Sequence, residues 1–223
     1  MRQLPLAIGV ESARTFDNFQ IGANALAVAH LQALAAQAAP VYLWGGSGSG
    51  KTHLLHALVH RFDAQGLRAG WFNAAAPAPW PHDEAWALIV IDECDALDPD
   101  QQHAAFALFV EAATHGIPVV AAGRVPPVDL PLREDLRTRL GWGHVFAVEP
   151  LGEPEARATV RREADRRGIF LSDEVMDYLL TRFARDLKHL MAQLDRLDEF
   201  SLATKRVITV PLLKQMLVEE GGA

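Results

Sequence analysis

The sequence predicts an α/β fold in which a parallel sheet flanked by helices is followed by a small all-helical domain. Two observations lead to this prediction. Short apolar runs alternate with helical segments as far as residue 150, a pattern typical of parallel sheets with helices on both faces. Beyond Pro150 only helical segments follow.

The predicted strands are short and mainly apolar. The runs 87–91 and 117–122 contain no charged residue, which is typical of strands buried on both faces of a sheet. The five predicted strands cover residues 41–44, 69–73, 87–91, 117–122 and 145–148.

Proline and glycine bound the predicted helices. Pro40 follows the first helix, Gly66 ends the second and Pro99 opens the third. The helices of the sheet domain are 23–37, 51–64, 99–115 and 132–140. The later helices, with apolar residues at helical spacing, are 154–167, 173–183, 186–204 and 211–219. The predicted organisation is a tail (1–15), an α/β domain (16–150) and a helical domain (151–223).

Composition excludes several classes of protein. The 223 residues contain 21 Lys and Arg against 28 Asp and Glu, a net charge of −7, which argues against coating nucleic acid by bulk charge. A single cysteine, Cys94, excludes an internal disulfide and a Cys-rich zinc module. No export signal or membrane span is recognisable. We therefore expect a cytoplasmic protein with no membrane partner.

A phosphate-binding loop is predicted between the first strand and the second helix. The segment matches the pattern G-x-x-x-x-G-K-[ST] in full, and it has the strand before it and the helix after it that the motif requires. Its residues are Gly45, Gly46, Ser47, Gly48, Ser49, Gly50, Lys51 and Thr52. Backbone N–H groups would surround phosphate oxygens, Lys51 would reach the β- and γ-phosphates, and Thr52 would ligate Mg²⁺.

An acidic pair ends the strand 87–91. Asp92 would hold the Mg²⁺ ion through water, and Glu93 would polarise an attacking water molecule. The neighbouring Asp95 and Asp98 are expected to be solvated or to cap the helix that starts near Pro99. His53, His56 and His60 share one helix, and we interpret them as structural or surface residues because no matching carboxylate or cysteine accompanies them.

The phosphate loop, the Asp-Glu strand end and the helical domain together resemble the AAA+ ATPases. More specific segments narrow the resemblance. Residues 15–19 (TFDNF) and 137–143 (RTRLGWG) are similar to the ATPase module of the replication initiator DnaA. Residues 42–44 (YLW), 53–57 (HLLHA) and 140–143 (LGWG) are similar to the Hda family, the DnaA-related regulatory inactivators. The resemblance implies an AAA+ nucleotide-binding domain with a lid, binding ADP or ATP with Mg²⁺.

The resemblance also implies partners. The Hda family carries a peptide at its N-terminus that binds the DNA polymerase sliding clamp, and the matching residues here are Gln3, Leu4, Leu6 and Ile8. An extended segment of this kind places leucine side chains in an apolar groove, and the Gln amide fixes its register. DNA would be reached indirectly through the clamp. We expect the chain to lack DnaA's helicase-interaction and DNA-binding domains, and self-assembly stays open.

Two arginines receive roles from the resemblance. Arg139 would be an arginine finger that enters the nucleotide site of a neighbouring DnaA subunit, with Arg133 and Arg137 as competitors. Arg185 would be the lid arginine that contacts the bound nucleotide, with Lys188 as the alternative.

The expected function is negative regulation of replication initiation by stimulating ATP hydrolysis on DnaA. Two features bear on intrinsic ATPase activity in opposite directions. AAA+ ATPases present a small polar residue after the strand 117–122, and this chain offers none there, although Arg124 could substitute. Glu93, in contrast, is a carboxylate that some Hda-like proteins lack. An autonomous ATPase or helicase loader acting on single-stranded DNA, and an adaptor with a purely structural nucleotide, are the alternatives.

Overall fold

The predicted α/β fold is confirmed, because five parallel strands form one sheet that is flanked by helices. The computed structural model of the chain describes residues 13–183 and 187–221. The strands are β1 (Val41–Trp44), β2 (Arg68–Phe72), β3 (Trp86–Ile91), β4 (Val119–Gly123) and β5 (His144–Ala147). Their order in the sheet is β2-β3-β4-β1-β5.

Within the described residues, four α-helices lie before and between the strands, and four more form the C-terminal part. The helices of the first part are α1 (Ala25–Gln32), α2 (Lys51–Asp63), α3 (Pro99–His115) and α4 (Glu134–Gly141). The helices of the second part are α5 (Glu153–Arg166), α6 (Asp173–Arg182), α7 (Leu187–Thr204) and α8 (Val210–Gly221). Two short 3₁₀ helices, which the sequence did not indicate, cover Cys94–Ala96 and Pro127–Asp129.

Strand β3 lies inside the sheet, between β2 and β4. Residues 88–91 are at most 1% exposed, and Ile89, Val90 and Ile91 pair in parallel with 119–121 of β4. The apolar run therefore has the buried position that its composition predicts. As a result, Asp92 follows a strand that is shielded from water on both faces.

Within the described residues, the chain forms two compact units. The first contains 13–19, 26–43 and 52–146, and the second contains 20–25, 44–51, 147–183 and 187–221. The division between an α/β domain and a helical domain at residue 150 stays a prediction.

Helix α3 has the bounds that the sequence predicts, because local residues define both ends. Asp98 accepts a hydrogen bond from the Gln101 backbone N–H, while the Gln101 side chain accepts one from the Asp98 backbone N–H. This reciprocal pair is a capping box. At the other end Gly116 adopts the left-handed conformation (φ 68°) that closes many helices.

Helix α1 is shorter than predicted. The alanine-rich sequence suggested a helix over 23–37, but α1 ends at Gln32. The Arg61 guanidinium donates hydrogen bonds to the carbonyl oxygens of Gln32 and Leu34, and Gln37 turns away with φ 61° as its N–H bonds to the Gly116 carbonyl oxygen. These partners are distant in sequence, so helix propensity alone gave the wrong end.

The C-terminal helices α5 to α8 have a hydrophobic core of their own. Its buried members include Val160, Leu179, Leu194 and Leu213, all at 0% exposure. The small helical domain that the spacing of apolar residues predicts is therefore present. In the described part of the chain, no helix combines the length and the apolar character needed to cross a membrane.

We expect loss of the α3 cap to destabilise the protein. Asp98→Ala removes the side-chain acceptor and should lower the free energy of unfolding by about 1 kcal/mol. Asp98→Asn keeps an acceptor and should remain within a few tenths of a kcal/mol of the wild type. Urea denaturation of the three proteins measures the difference, and equal stability of the Ala and Asn variants would contradict the capping role.

Candidate nucleotide-binding site

The loop between β1 and α2 has a backbone that requires glycine. Gly48 and Gly50 adopt φ values of 75° and 105°, a region that residues with a Cβ rarely occupy. A Cβ added to Gly45 would lie 2.3 Å from the Val148 carbonyl oxygen. A Cβ at Gly46, a variable position of the motif, would meet nothing within 4 Å.

Lys51 places its positive charge inside this loop. Its Nζ donates hydrogen bonds to the carbonyl oxygens of Gly45, at 2.7 Å, and Gly46, at 2.8 Å. The residue is 9% exposed, so the ammonium is held by the loop and not by bulk water. An ammonium in this place, at the first residue of a helix, suits a phosphate group as its ligand.

Thr52 and Asp92, the two residues predicted to hold Mg²⁺, lie in direct contact. Thr52 Oγ1 donates a hydrogen bond to Asp92 Oδ2 at 2.7 Å. The other carboxylate oxygen, Oδ1, accepts from the Glu93 backbone N–H at 2.9 Å. Asp92 is 5% exposed. A hydroxyl and a carboxylate oxygen at this separation are hard oxygen ligands of the kind Mg²⁺ prefers, directly or through water.

Glu93 has an exposed side chain and an unusual backbone. It adopts φ 55° and ψ 39°, the left-handed region, at the start of the 3₁₀ helix Cys94–Ala96. For a residue other than glycine this conformation costs free energy, and such positions cluster at functional sites. The turn directs Glu93 away from the buried strand, where its carboxylate can meet a ligand or solvent.

Arg124, which could substitute for the absent polar residue after β4, is held by another group. Its backbone N–H donates to Asp95 Oδ1 at 2.9 Å, and its Nε donates to Asp95 Oδ2. The hydrogen bond to Asp95, followed by the attraction of the two charges, raises the pKa of Arg124. The expectation that Asp95 is solvated or caps a helix was wrong, since the Asp95 side chain is 9% exposed and paired. Asp98 does cap α3.

The phenol of Tyr42 occupies the space beside the end of β4. Its hydroxyl donates to the Val125 carbonyl oxygen at 2.9 Å, and a Cβ on Gly123 would lie 2.2 Å from that hydroxyl oxygen. Burial, and then the nearby Cys94 and Asp95, raise the pKa of Tyr42, so the phenol stays neutral. Sequence reasoning missed Tyr42 and Asp95 at this place because their partners are far along the chain, and no local signal marks them.

Three candidate arginines, Arg133, Arg137 and Arg139, lie in α4 or directly before it, and their side chains have different contacts. Arg133 is engaged: its guanidinium bonds Asp135 at 2.6 Å, and its backbone N–H bonds Gln102. The Arg139 guanidinium carbon lies 5.9 Å from the Phe106 ring centroid, a cation–π distance. Within the described residues, neither Arg137 nor Arg139 forms an ion pair.

Several predicted site residues lie outside the described residues. They are the lid arginine Arg185 and the clamp-binding residues Gln3, Leu4, Leu6 and Ile8. The side chain of Lys188, the alternative to Arg185, is likewise outside the described part.

Two family models match separate segments of the chain. Residues 153–217 match the family model of the Hda lid domain, and residues 10–69 match that of the bacterial DnaA ATPase domain. Domain III of Thermotoga maritima DnaA has the same fold, with a TM-score of 0.77 at 20% identity over 93% of this chain and 97% of that one.

Two other structures share the fold over a smaller part of their length. DnaA from Aquifex aeolicus bound to AMPPCP gives a TM-score of 0.70 at 20% identity, covering 85% of this chain and 66% of that one. The Thermotoga maritima RuvB branch migration motor gives 0.60 at 15% identity, covering 80% of this chain and 61% of that one.

The sheet, the glycine loop and the helical lid define an AAA+ module. The family-model matches make the assignment more specific. The chain is a DnaA-related AAA+ module with a lid of the Hda type, as its sequence predicted.

The two neighbouring loop glycines provide a test of the nucleotide site. Gly45→Ala places a methyl group against the Val148 carbonyl oxygen and should distort the loop. We expect ATP and ADP affinity to fall by roughly tenfold or more, which corresponds to the loss of one good hydrogen bond or ion contact. Gly46→Ala meets no protein atom and should bind nucleotide as the wild type does. Titration with a fluorescent adenine nucleotide measures both, and equal affinities would contradict the loop geometry.

Proposed function

We propose that the protein is a regulatory inactivator of replication initiation. It binds ADP or ATP with Mg²⁺ at the glycine loop, docks on the DNA-loaded sliding clamp through its N-terminal tail, and presents Arg139 to ATP bound on DnaA. Hydrolysis there converts DnaA to its ADP form. The matches to the Hda lid and to the DnaA ATPase domain in one chain support this proposal.

Nucleotide binding is supported by the geometry of the loop and its neighbours. Lys51 provides the positive charge, and Thr52 with Asp92 provides two oxygen ligands suited to Mg²⁺. A DnaA structure of the same fold was determined with AMPPCP. Arg185 would add a contact from the lid.

The observation that best supports a regulatory role is that Arg139 has no carboxylate partner among the described residues. A finger must bring an uncompensated positive charge to the γ-phosphate of another subunit. Arg133 is neutralised by Asp135. Arg139 is oriented by the Phe106 ring instead of by a carboxylate, and this keeps its charge available. Arg139 is therefore the better finger of the two, and Arg137 remains its competitor.

The tail and the net charge support the clamp as an intermediary. With a charge of −7, the chain is repelled by the phosphate backbone unless basic residues cluster locally. A tail with Gln3, Leu4, Leu6 and Ile8 would bring the protein to DNA by binding a protein that already encircles it.

An autonomous ATPase is the second candidate, and Glu93 is the observation in its favour. The exposed carboxylate follows Asp92 directly. The contacts at the end of β4 count against an autonomous ATPase. Arg124 is paired with Asp95, and Tyr42 occupies the space at Gly123. Among the described residues, no small polar group is left at that point to orient a water molecule.

We expect Arg139→Ala to abolish stimulation of DnaA. In an assay with DnaA–ATP and DNA-loaded clamp, the variant should lose roughly 10³-fold of the acceleration that an arginine finger supplies. Its own nucleotide affinity should not change, since the finger acts in another subunit. Arg139→Lys should also fail, because lysine lacks the planar fork of donors.

Arg137→Ala is the matched control and should stimulate DnaA as the wild type does. Loss of stimulation in Arg137→Ala instead of Arg139→Ala would assign the finger to Arg137. ATP turnover by the isolated chain that requires Glu93 and responds to DNA, without any effect on DnaA, would favour the autonomous ATPase.

We also expect Gln3→Ala to weaken binding to the sliding clamp. Loss of the amide hydrogen bonds should raise Kd by roughly tenfold. Gln65→Ala is a suitable control, since Gln65 is an exposed glutamine in the turn after α2. Surface-based binding to immobilised clamp measures all three proteins, and identical Kd values for Gln3→Ala and the wild type would remove the tail from the proposal.

A further inference from the structure

Two histidines and a glutamate converge at the edge of the sheet where β3 and β4 begin. His82 lies in the loop that precedes β3, while Glu111 and His115 lie one turn apart near the end of α3, just before β4. Each side chain offers one ligand atom, and the three atoms lie within 4.8 Å of one another. At this separation, small side-chain shifts would bring all three atoms within bonding distance of a single ion.

The cluster has the chemistry of a transition-metal site. Imidazole nitrogen and carboxylate oxygen are the ligands that Zn²⁺ and its neighbours prefer, and two histidines with one glutamate form a known zinc ligand set that leaves a position for water. Hard ions such as Mg²⁺ favour oxygen ligands alone. The ligand set therefore selects the zinc class of divalent ion.

The His115 ring is held by a backbone hydrogen bond within its own helix. Its Nδ1 lies 2.9 Å from the carbonyl oxygen of Glu111. In the neutral ring this nitrogen carries the proton and donates it to the carbonyl, so Nε2 keeps a lone pair. A backbone hydrogen bond of this kind fixes the tautomer and the ring orientation of a metal ligand.

His82 contributes the second, independent observation. Its Nε2 is a buried atom with no hydrogen-bond partner in the described part of the chain, and burying a polar atom without a partner is unfavourable. The ring stacks on His115, with centroids 5.1 Å apart, and lies nearly perpendicular to the Trp86 ring. Coordination of a metal ion would supply the partner that this nitrogen lacks.

We propose that His82, Glu111 and His115 bind a divalent metal ion of the zinc class. The ion ties the end of the loop 73–85 to α3, while Gln101 already holds the start of that loop through hydrogen bonds to the carbonyl oxygens of Ala74 and Ala76, both at 2.9 Å. The site is separate from the candidate Mg²⁺ ligands, since Asp92 follows the opposite end of β3, a strand of six residues that spans roughly 20 Å.

The competing explanation is a surface ion pair. His115 Nδ1 lies 3.8 Å from a carboxylate oxygen of Glu111, four residues earlier on the same helix. Such a pair needs no third residue. His82 therefore distinguishes the two explanations, because only a metal site depends on it.

The test is a titration of the metal-stripped full-length protein with Co²⁺, followed by displacement with Zn²⁺. No nucleotide is present, so that phosphate oxygens do not recruit the ion elsewhere. We expect one Co²⁺ per chain, with visible absorption bands that Zn²⁺ abolishes. His82→Ala should weaken binding by about 100-fold or more, since loss of even an outer-shell partner costs about 10- to 100-fold.

His103→Ala is the matched control. His103 lies on the same helix and is exposed, with its Nδ1 2.7 Å from the Pro99 carbonyl oxygen, and its loss should leave Co²⁺ affinity unchanged. Absence of Co²⁺ binding to the wild type, or wild-type affinity in His82→Ala, overturns the proposal.

A second measurement guards against a folding defect in His82→Ala. Glu111→Gln preserves the shape of an exposed side chain while removing the ligand charge. Zn²⁺ should raise the Tm of the wild type and His103→Ala by several degrees, because it binds the folded state, and should leave Glu111→Gln and His82→Ala unchanged. Equal rises in all four proteins overturn the site.

Discussion

The hydrogen bond between Thr52 and Asp92 is the interaction on which the candidate nucleotide site depends. A carboxylate at 5% exposure is stable only when both oxygens have partners, and Thr52 Oγ1 and the Glu93 N–H provide them. The bond joins the first turn of α2 to the end of β3. Any ligand that requires Thr52 and Asp92 together therefore meets an arrangement that the core of the sheet already holds in place.

Features with local causes could be predicted from the sequence. The glycine loop, its lysine and the acidic pair were found from residue types and spacing, and both ends of α3 follow from Asp98 and Gly116. Features with distant causes could not. Helix α1 ends at Gln32, where Arg61, almost thirty residues later, donates hydrogen bonds to the carbonyl oxygens of Gln32 and of Leu34, just beyond the helix. Propensity carries no information about such a partner.

The contacts at the end of β4 could not be predicted from the sequence either, and they bear on the function. The sequence reveals that no small polar residue follows this strand, but not what replaces it. Tyr42 fills the space beside Gly123, and Asp95 binds Arg124. These two residues are 81 and 28 residues away from Gly123 in the sequence. A neutral, buried phenol and an arginine already bound to a carboxylate are poor groups for orienting water. This arrangement supports our proposal that the protein acts on the nucleotide of another subunit.

The arginine finger that we propose for Arg139 would face two opposing requirements. It must be oriented before docking, because ordering a long side chain costs conformational entropy, yet a carboxylate that orients it also cancels the charge it has to deliver. Breaking such a pair would consume part of the stabilisation gained at the γ-phosphate. An aromatic ring resolves the conflict, since a cation–π contact positions the guanidinium plane while its N–H donors stay free to bind phosphate oxygens. Arg139 has such a contact with Phe106, whereas Arg133 forms an ion pair with Asp135. The two arginines therefore differ because Phe106 of α3 packs against Arg139 of α4.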